Sequence, residues 1–202
     1  MSINLYKNDL PDGLDLGEIV AIDTETMGLN HNRDRLCLVQ LSSGDGNAHL
    51  VQMVDKSYDA PNLKKLVSNP DILKLFHFAR FDVAIMKKYL SVDCPNIFCT
   101  KIASKLVRTY TDKHGLKNLC RELIGVDVSK QYQSSDWGAQ ELSPEQMNYA
   151  ASDVYYLHKL RSKLLVMLER EGRLELAQNC FDFMATRVDL DLNGWEDDIF
   201  EH

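Results

Sequence analysis

The feature that most constrains this chain is the stretch IVAIDTET at residues 19–26. Ile19 to Ile22 form a short, continuous apolar run, which is typical of a strand buried on both faces. Asp23 and Glu25 follow before any turn signal, and residues two apart on an extended chain project to the same side. Two neighbouring carboxylates at the end of a buried strand destabilise a fold unless a cation accompanies them. The stretch therefore predicts a cation site at the end of this strand.

The remaining sequence predicts an α/β domain with a mixed sheet. The turn signal GDGN at residues 44–47 joins two apolar runs as an antiparallel hairpin. Later strands alternate with helices, which is typical of a layered α/β fold. The predicted strands lie at about 17–24, 35–42, 48–53, 71–76 and 96–99.

The clearest helix start lies at Ser143. Ser143 is a suitable N-cap, Pro144 suits the first turn, and Gln146 completes a capping box. The helical period that follows continues to about residue 170. The other predicted helices are 60–68, 79–90, 101–109 capped by Thr100, 116–124 ended by Gly125, and 172–187.

Charge and cysteine content narrow the possible functions. The 202 residues carry a net charge of −7, which argues against a protein that grips long nucleic acid through phosphate contacts alone. A short nucleic acid held through bound metal ions is still compatible with this charge. The five cysteines contain no C-x-x-C pair, so neither a disulfide framework nor a zinc knuckle is expected.

The location predicted for the protein is the cytoplasm. No apolar run approaches the roughly 20 residues of a membrane span. The start, MSINLYKNDLPDG, lacks the basic and then apolar pattern of a secretory signal. We therefore expect no membrane partner.

Further acidic residues share the chain with Asp23 and Glu25. Asp82 lies on the predicted helix after the fourth strand, and Tyr149 and Asp153 lie four apart on the helix that Ser143 begins. Side chains four apart share one face of a helix. Any one of these acids alone is typically a solvated surface carboxylate. Their combination in this order is more informative.

Three segments carry a family resemblance. DTETMGL at 23–29, HFARFD at 77–82 and YAASDV at 149–154 resemble the three exonuclease motifs of the DEDD superfamily, in its tyrosine branch. RLCLVQL at 35–41 and HGLKNL at 114–119 resemble ribonuclease D. The resemblance covers roughly residues 15–165, and it implies a ribonuclease H-like fold with a mixed sheet of about five strands.

The resemblance also implies the roles of the site residues. Asp23, Glu25, Asp82 and Asp153 are expected to hold two divalent cations, Mg²⁺ or Mn²⁺, because hard cations prefer carboxylate oxygens. Tyr149 is expected to orient the attacking water or the scissile phosphate. Two such ions can activate water, neutralise the phosphoryl oxygens and assist the leaving group of a phosphodiester.

A second assignment uses His77 and Asp82 as the last motif of the histidine branch. That assignment needs another acid before His77, which only loop residues such as Asp55 or Asp59 offer. It also leaves Tyr149 and Asp153 without a role. The tyrosine assignment is therefore preferred, and His77 is either a polar residue at a strand end or a substrate contact.

Substrate contacts are expected directly after the first two acids. The backbone of Thr26 and Met27 is expected to bind the terminal nucleotide, Gly28 to allow close approach, and Leu29 to wedge against a base. The further candidates for substrate contact are His77, Ser135, Asp136, Trp137 and Gln146. The alternative role for Trp137 is that of a loop aromatic that covers the core.

The domain organisation predicted is an exonuclease domain at 1–170 and a helix with an acidic tail at 171–202. Ribonuclease D carries helical domains after the nuclease, and too few residues follow Asp153 here to form them. This layout resembles nanoRNase C, a family that degrades very short RNAs and assembles into octameric rings. The tail either docks on a neighbouring copy, folds back, or is disordered. The apolar tail residues are Leu192, Trp195, Ile199 and Phe200.

The function expected is metal-dependent 3′→5′ exoribonuclease activity on short single-stranded RNA, down to dinucleotides, with release of nucleoside 5′-monophosphates. One alternative is trimming of tRNA 3′ ends or degradation of DNA. Another is a catalytically inactive domain that binds nucleic acid or supports assembly. Phe78 departs from the small polar residue that ribonuclease D often has, and this departure puts the preferred substrate size in question.

Overall fold

A computed structural model describes residues 2–129, 131–132, 134–195 and 199. Six strands form one mixed sheet in the order β1-β4-β3-β2-β5-β6. The strands are β1 (Ser2–Lys7), β2 (Ile19–Thr26), β3 (Leu36–Ser42), β4 (Asn47–Gln52), β5 (Leu73–Phe76) and β6 (Ile97–Cys99). The α-helices are α1 (Pro61–Ser68), α2 (Ala79–Leu90), α3 (Thr100–Val107), α4 (Leu116–Leu119), α5 (Pro144–Tyr155), α6 (Leu157–Arg170), α7 (Leu174–Asp182) and α8 (Met184–Leu192), with a π-helical turn at Cys120–Ile124.

The centre of the sheet is β2, which pairs antiparallel with β3 and parallel with β5. Val20, Ala21 and Ile22 are fully buried, as their continuous apolar run predicts. The parallel pairing with β5 ends at Ala21. From Asp23 onward, β2 therefore has no paired strand on its β5 side among the described residues, and the two carboxylates lie in this part of the strand.

The predicted hairpin at residues 44–47 is confirmed. β3 and β4 pair antiparallel, and Gly44 and Gly46 adopt positive φ angles of 81° and 91°. Such angles favour glycine because it has no Cβ. All five predicted strands are present, and their bounds lie within two residues of the predicted ones.

One strand was not predicted. β1 pairs parallel with β4 at the edge of the sheet, and none of its residues is fully buried. The alternation of apolar and polar residues in β1 is therefore weak. This segment forms a strand because it pairs with β4, some 45 residues later in the chain. Local sequence cannot reveal such a pairing.

The helical predictions need two corrections of bounds. The helix that Ser143 begins is interrupted at Tyr156, where ψ is −7°, so that α5 and α6 replace one long helix. The predicted helix at 172–187 is two helices, α7 and α8, joined at Phe183, and α8 continues beyond the predicted end to Leu192, into the predicted acidic tail. Both joints carry aromatic residues that helices tolerate, so neither interruption has a sequence signal. Thr100 lies in the first turn of α3, whose N-cap is Cys99.

The helices after α5 complete the core. Leu157, Leu160, Leu164 and Leu168 of α6 are fully buried, which preserves the predicted apolar period. Phe181 of α7 packs on Phe98 of β6, with ring centroids 4.9 Å apart. Within the described residues, no helix is long and apolar enough to cross a membrane.

Candidate active site

The strand β2 places two carboxylates on one side of the sheet. Asp23 and Glu25 lie within the strand, two residues apart, and both are half-buried. Gln40, the cross-strand partner of Asp23 on β3, places its Nε2 3.5 Å from Asp23 Oδ2. The pairing of β2 and β3 shifts register between Glu25 and Thr26. Such a bulge bends the strand locally directly after the second acid, while Thr26 still pairs with Leu36 of β3.

The helix α2 supplies a third carboxylate from the first turn. Asp82 is 3% exposed, and its Oδ1 accepts a hydrogen bond of 2.7 Å from Thr24 Oγ1. Thr24 lies between the two acids of β2. Sequence reasoning did not assign Thr24 a role, although a hydroxyl residue between two site acids is a recognisable signal.

The helix α5 supplies Tyr149 and Asp153. The predicted capping box is confirmed, because Ser143 Oγ accepts from the backbone N–H of Gln146 and Gln146 Oε1 accepts from that of Ser143. This cap fixes the start of the helix, and hence the face on which Tyr149 and Asp153 lie. Carboxylate oxygens of Asp23, Glu25 and Asp153 all lie within 4.8 Å of one another.

Burial and mutual repulsion raise the pKa values of these acids. Burial raises the pKa of Asp23 to about 7. Burial, followed by the charges of Asp23, Asp153 and Asp82, raises that of Glu25 to about 10. The pKa values of Asp82 and Asp153 are also raised, by burial first and by the charge of Asp23 second. The cluster is therefore short of positive charge.

These residues fit a divalent cation. Three carboxylates offer oxygen atoms close enough to share one hard ion, and Asp82 lies beside them. A bound cation would relieve the repulsion that raises the pKa values. Sulfur or imidazole ligands, which softer metals prefer, are absent from this group of three.

Tyr149 keeps its proton in this setting. Burial raises the pKa of its phenol first, and the charges of Asp153, Glu25 and Asp23 raise it further. The ring packs at 6.0 Å, centroid to centroid, from Trp137. A protonated hydroxyl acts as a hydrogen-bond donor and not as a general base.

All four acids and the tyrosine of the predicted site line one cavity of about 560 Å³. Most of the predicted substrate residues line it as well, and Met27 and Leu29 expose 52% and 87% of their surface. The predicted substrate residues that line the cavity are Thr26, Met27, Gly28, Leu29, His77, Ser135 and Trp137.

Gly28 is required by close packing within the loop. A Cβ at this position would lie 2.3 Å from Asp34 Oδ2. The Asp34 carboxylate in turn accepts the backbone N–H of Asn30 and pairs with Arg33. Thr26 Oγ1 donates to the Gly28 carbonyl, so hydrogen bonds at both ends shape the loop that holds Met27 and Leu29.

Two predicted substrate residues, Asp136 and Gln146, do not line the cavity. Gln146 is occupied by the capping box, and its Nε2 donates to the Asp136 carbonyl. The Asp136 carboxylate accepts the backbone N–H of Gly138. Both side chains therefore shape the loop before α5. Trp137 is 3% exposed and packs in a small core cluster, so it covers the core and also reaches the cavity wall.

Several cavity residues were missed by sequence reasoning. They come from loops and helix starts that carry no periodic signal, and only the packing of α2, α3 and α4 brings them together. Among the described residues that line the cavity, two are lysines, Lys101 and Lys117, and none is an arginine. The remaining unpredicted residues of the lining are Thr24, Phe78, Phe81, Gly115, Leu116, Val128, Ser129 and Ser134.

Comparisons with known proteins agree with this geometry. A family profile described as 3′-5′ exonuclease matches residues 8–169. Ribonuclease D of Gluconacetobacter diazotrophicus is 38% identical over 157 residues, which are 77% of this chain and 39% of that protein. The chain thus spans well under half the length of this curated relative.

Solved structures of similar length also match. Brucella melitensis NrnC bound to pGG is 53% identical, with a TM-score of 0.96 over 100% of this chain and 99% of that one. Brucella melitensis NrnC with bound Mg²⁺ is 52% identical, with a TM-score of 0.95 over 100% of both chains. These likenesses confirm the predicted ribonuclease H-like nuclease fold.

Proposed function

This chain belongs to the 3′–5′ exonuclease family, and over its whole length it resembles the NrnC nucleases. From this membership we propose its substrate and its chemistry. We propose that it is a metal-dependent exoribonuclease that removes nucleotides from the 3′ end of short single-stranded RNA, down to dinucleotides. The products are nucleoside 5′-monophosphates.

The observation that carries this proposal is the carboxylate cluster. Asp23, Glu25 and Asp153 place oxygen atoms within 4.8 Å of one another, in the same cavity as Asp82 and Tyr149. A cluster with such raised pKa values needs a cation to be ionised at neutral pH. We propose that the four acids hold two divalent cations, Mg²⁺ or Mn²⁺. The Mg²⁺ in Brucella melitensis NrnC supports this choice.

The bound cations would supply neutralisation of the phosphoryl oxygens and an activated water. The chain's own residues orient these partners. Thr24 fixes the Asp82 carboxylate by donating to Oδ1, so that Asp82 keeps one orientation. Tyr149, protonated at neutral pH, donates a hydrogen bond to the attacking water or to the scissile phosphate.

The lining of the cavity supports a short substrate. Its volume of about 560 Å³ lies in the ordinary range of small-ligand pockets. Lys101 and Lys117 provide positive charge for few phosphates, in a chain with a net charge of −7. Exposed Met27 and Leu29 offer apolar surface to bases. The dinucleotide pGG bound to Brucella melitensis NrnC agrees with this size.

The test compares two labelled RNAs. Pure protein is incubated with a 5′-labelled dinucleotide and with a 20-mer, each with Mn²⁺ and with a chelator. We expect rapid cleavage of the dinucleotide, slow cleavage of the 20-mer, and no cleavage with chelator. Equal rates on both RNAs would contradict the short-substrate proposal, and equal rates on a matched DNA dinucleotide would contradict the preference for RNA.

The same experiment separates the alternatives. Preferential trimming of a tRNA 3′ end would favour a ribonuclease D-type activity. Cleavage of neither RNA, together with binding of either, would favour an inactive nucleic-acid-binding domain. The intact set of four acids and Tyr149 argues against that last outcome.

We also propose that the chain forms a homo-oligomer, with an octamer as the expected assembly, through the end of its C-terminal segment. Through Leu192 this segment packs on its own domain, with Met184 and Val188 buried. Trp195 and Ile199 are 57% and 50% exposed and so present apolar surface, whereas Phe200 lies outside the described residues.

Truncation after Asn193 tests the oligomer proposal without removing core residues. A cut at residue 187 would remove Val188, which is fully buried, and would therefore disturb the domain itself. We expect the mass measured by light scattering to fall on truncation after Asn193. An unchanged mass would show that the tail does not hold the assembly.

A further inference from the structure

Phe78 adopts a backbone conformation that aromatic residues rarely take. Its φ and ψ angles are 75° and 49°, in the left-handed region, at the N-cap of α2. Glycine, asparagine and aspartate visit this region more readily than a bulky side chain does. The local backbone is therefore strained, and its neighbours must hold it in place.

Contacts on either side of Phe78 provide that hold. Thr100 Oγ1 donates to the Phe76 carbonyl at 3.1 Å and lies 2.9 Å from His77 Nδ1. The Phe78 carbonyl accepts the backbone N–H of Phe81 at 3.1 Å. Residue 78 is thus fixed between the end of β5 and the first turn of α2.

The ring of Phe78 lies at the cavity wall. Phe78 is 43% exposed, although phenylalanine is usually buried in the core of a protein. The Nζ atom of Lys101 lies 3.9 Å from the ring centroid, close enough for a cation–π interaction. One face of the ring is therefore in contact with an ammonium group.

Packing does not explain why an aromatic residue occupies this strained position. An asparagine or glycine would adopt the same backbone at lower cost, and 43% of the Phe78 residue surface is exposed. Strained residues that face a cavity concentrate at functional sites. A functional role of the ring in the cavity would account for this cost in stability.

The position of Phe78 relative to the acids suggests that function. Phe78 is the N-cap of α2 and Asp82 lies in the first turn of that helix, and both residues line the same cavity. Residues of the same cavity include exposed Met27 and Leu29 on the loop after β2. A nucleotide chain whose scissile phosphate lies at the acids thus has a base within reach of the ring.

We propose that the ring of Phe78, backed by Lys101, stacks on a nucleobase of the bound oligonucleotide and determines which oligonucleotides the site accepts. The face of an aromatic ring is electron-rich and therefore disfavours an anionic phosphate, whereas the flat face of a base stacks on it. The proposal rests on the proposed nuclease function and adds a specificity-determining residue to it.

The first test uses the sign of the stability change. Phe78→Asn relieves the strained backbone, and we expect the melting temperature to rise by about 2–4 °C. We expect the same substitution to lower kcat/KM for a dinucleotide about tenfold, the effect of one lost stacking contact. A fall in melting temperature would show that the ring is a structural element and would overturn the proposal.

Two matched variants control this test. Phe78→Tyr retains an aromatic ring, and we expect it to keep kcat/KM within about threefold of wild type. Tyr110→Asn removes an aromatic ring that is 74% exposed and does not line the cavity, and we expect no change in kcat/KM. A tenfold loss in either variant would overturn the proposal.

The second test removes the base instead of the ring. Wild type and Phe78→Asn are assayed with a complete dinucleotide and with two versions that carry a stable abasic residue at one position or the other. For one of the two positions, we expect base loss to lower the wild-type kcat/KM about tenfold and to have little further effect in Phe78→Asn.

Multiplying effects at both positions would show that ring and base do not interact. A wild type that fails to cleave the complete dinucleotide would instead contradict the proposed function. The two failures are therefore distinguishable.

Discussion

Two buried aspartates of this protein, on neighbouring helices, show opposite electrostatics. Asp82 of α2 is 3% exposed and Asp191 of α8 is 2% exposed. Asp82 accepts a hydrogen bond from the neutral hydroxyl of Thr24 and lies beside other acids. Asp191 instead accepts hydrogen bonds of 2.7 Å from two guanidinium groups, those of Arg80 and Arg187.

Their pKa values shift in opposite directions. Burial raises the pKa of Asp82, and the charge of Asp23 raises it further. Burial also acts to raise the pKa of Asp191, but hydrogen bonds and charges of Arg80 and Arg187 outweigh it and leave the pKa below the ordinary value. The same residue type is therefore stabilised as an anion in one place and not in the other.

The difference shows how the fold reserves its acidic site. Arg80 lies only two residues before Asp82, yet its side chain pairs with Asp191, far along the chain. A guanidinium among the site acids would neutralise them and would compete with a metal ion. Because Arg80 pairs with Asp191 on α8, that buried acid has a positive partner, and Asp82 is available to a cation.

The largest expected effect comes from removing a site acid. Asp23→Asn is expected to lower the rate on short RNA with Mn²⁺ about 10³-fold or more, because a cation ligand is lost. The fold should remain intact, since an anion is removed from a repelling cluster. Rates and circular dichroism check both points, with Asp189→Asn on α8 as the control. A near-normal rate would show that the site is wrongly assigned.

Breaking the other cluster should affect stability instead. Asp191→Ala leaves two guanidinium groups without their buried partner and is expected to lower the free energy of unfolding by about 3 kcal/mol. Urea denaturation measures this change. The control is Asp189→Ala, a half-exposed acid on the same helix that pairs with Lys87, for which about 1 kcal/mol or less is expected. Equal losses in both variants would contradict the special role of Asp191.

Divalent cations should stabilise the fold by binding to the acids of the cavity, and not to Asp191. At a Mg²⁺ concentration about 100 times its Kd, we expect the free energy of unfolding of wild type to rise by about 2.7 kcal/mol. Asp23→Asn should lose most of this gain, whereas Asp191→Ala should keep it. Thermal unfolding with and without Mg²⁺ makes the comparison. Equal gains in all three proteins would place the ion elsewhere.

The pH dependence is the smallest effect when it is counted per pH unit, and it separates Asp23 from Asp191 by sign. Since the folded pKa of Asp23 is about 7 and the unfolded value is near 4, the folded protein binds more protons between them. Metal-free wild type should therefore become less stable as pH rises from about 4 to 7, by less than about 1.4 kcal/mol per pH unit for this one group.

Asp191 should show the reverse dependence. Its depressed pKa gives stability that is present above the unfolded value near 4 and is lost as pH falls through the folded pKa. Urea denaturation in chelator, from about pH 3 to 8, is compared for wild type, Asp23→Asn and Asp191→Ala. A slope that is the same in both proteins would contradict the raised pKa of Asp23.

Local sequence was sufficient for the elements that carry the acids. The apolar run before Asp23 predicts β2, and the capping box at Ser143 predicts the start of α5 and thus the shared face of Tyr149 and Asp153. Both signals depend on neighbours within four residues. Short-range patterns of this kind survive folding because burial and capping reinforce them.

Contacts between distant segments were beyond the reach of sequence patterns. Phe78 and Lys101 reach the cavity only because β5 and β6 deliver α2 and α3 to the same side of the site. The strand β1 forms only by pairing with β4. Gln146, which the sequence suggested as a substrate contact, is instead occupied by its own helix cap.

Asp82 and Asp191 illustrate the division most clearly. The sequence by itself placed Asp82 on a helix beside a predicted cation site, whereas it placed Asp191 in the acidic tail, beyond the end of the last predicted helix at residue 187. Only the tertiary structure decided which acid receives arginines, because α2 and α8 pack together from segments about 110 residues apart. Pair distances and burial set the electrostatic free energy of each carboxylate, and both are properties of the packed fold.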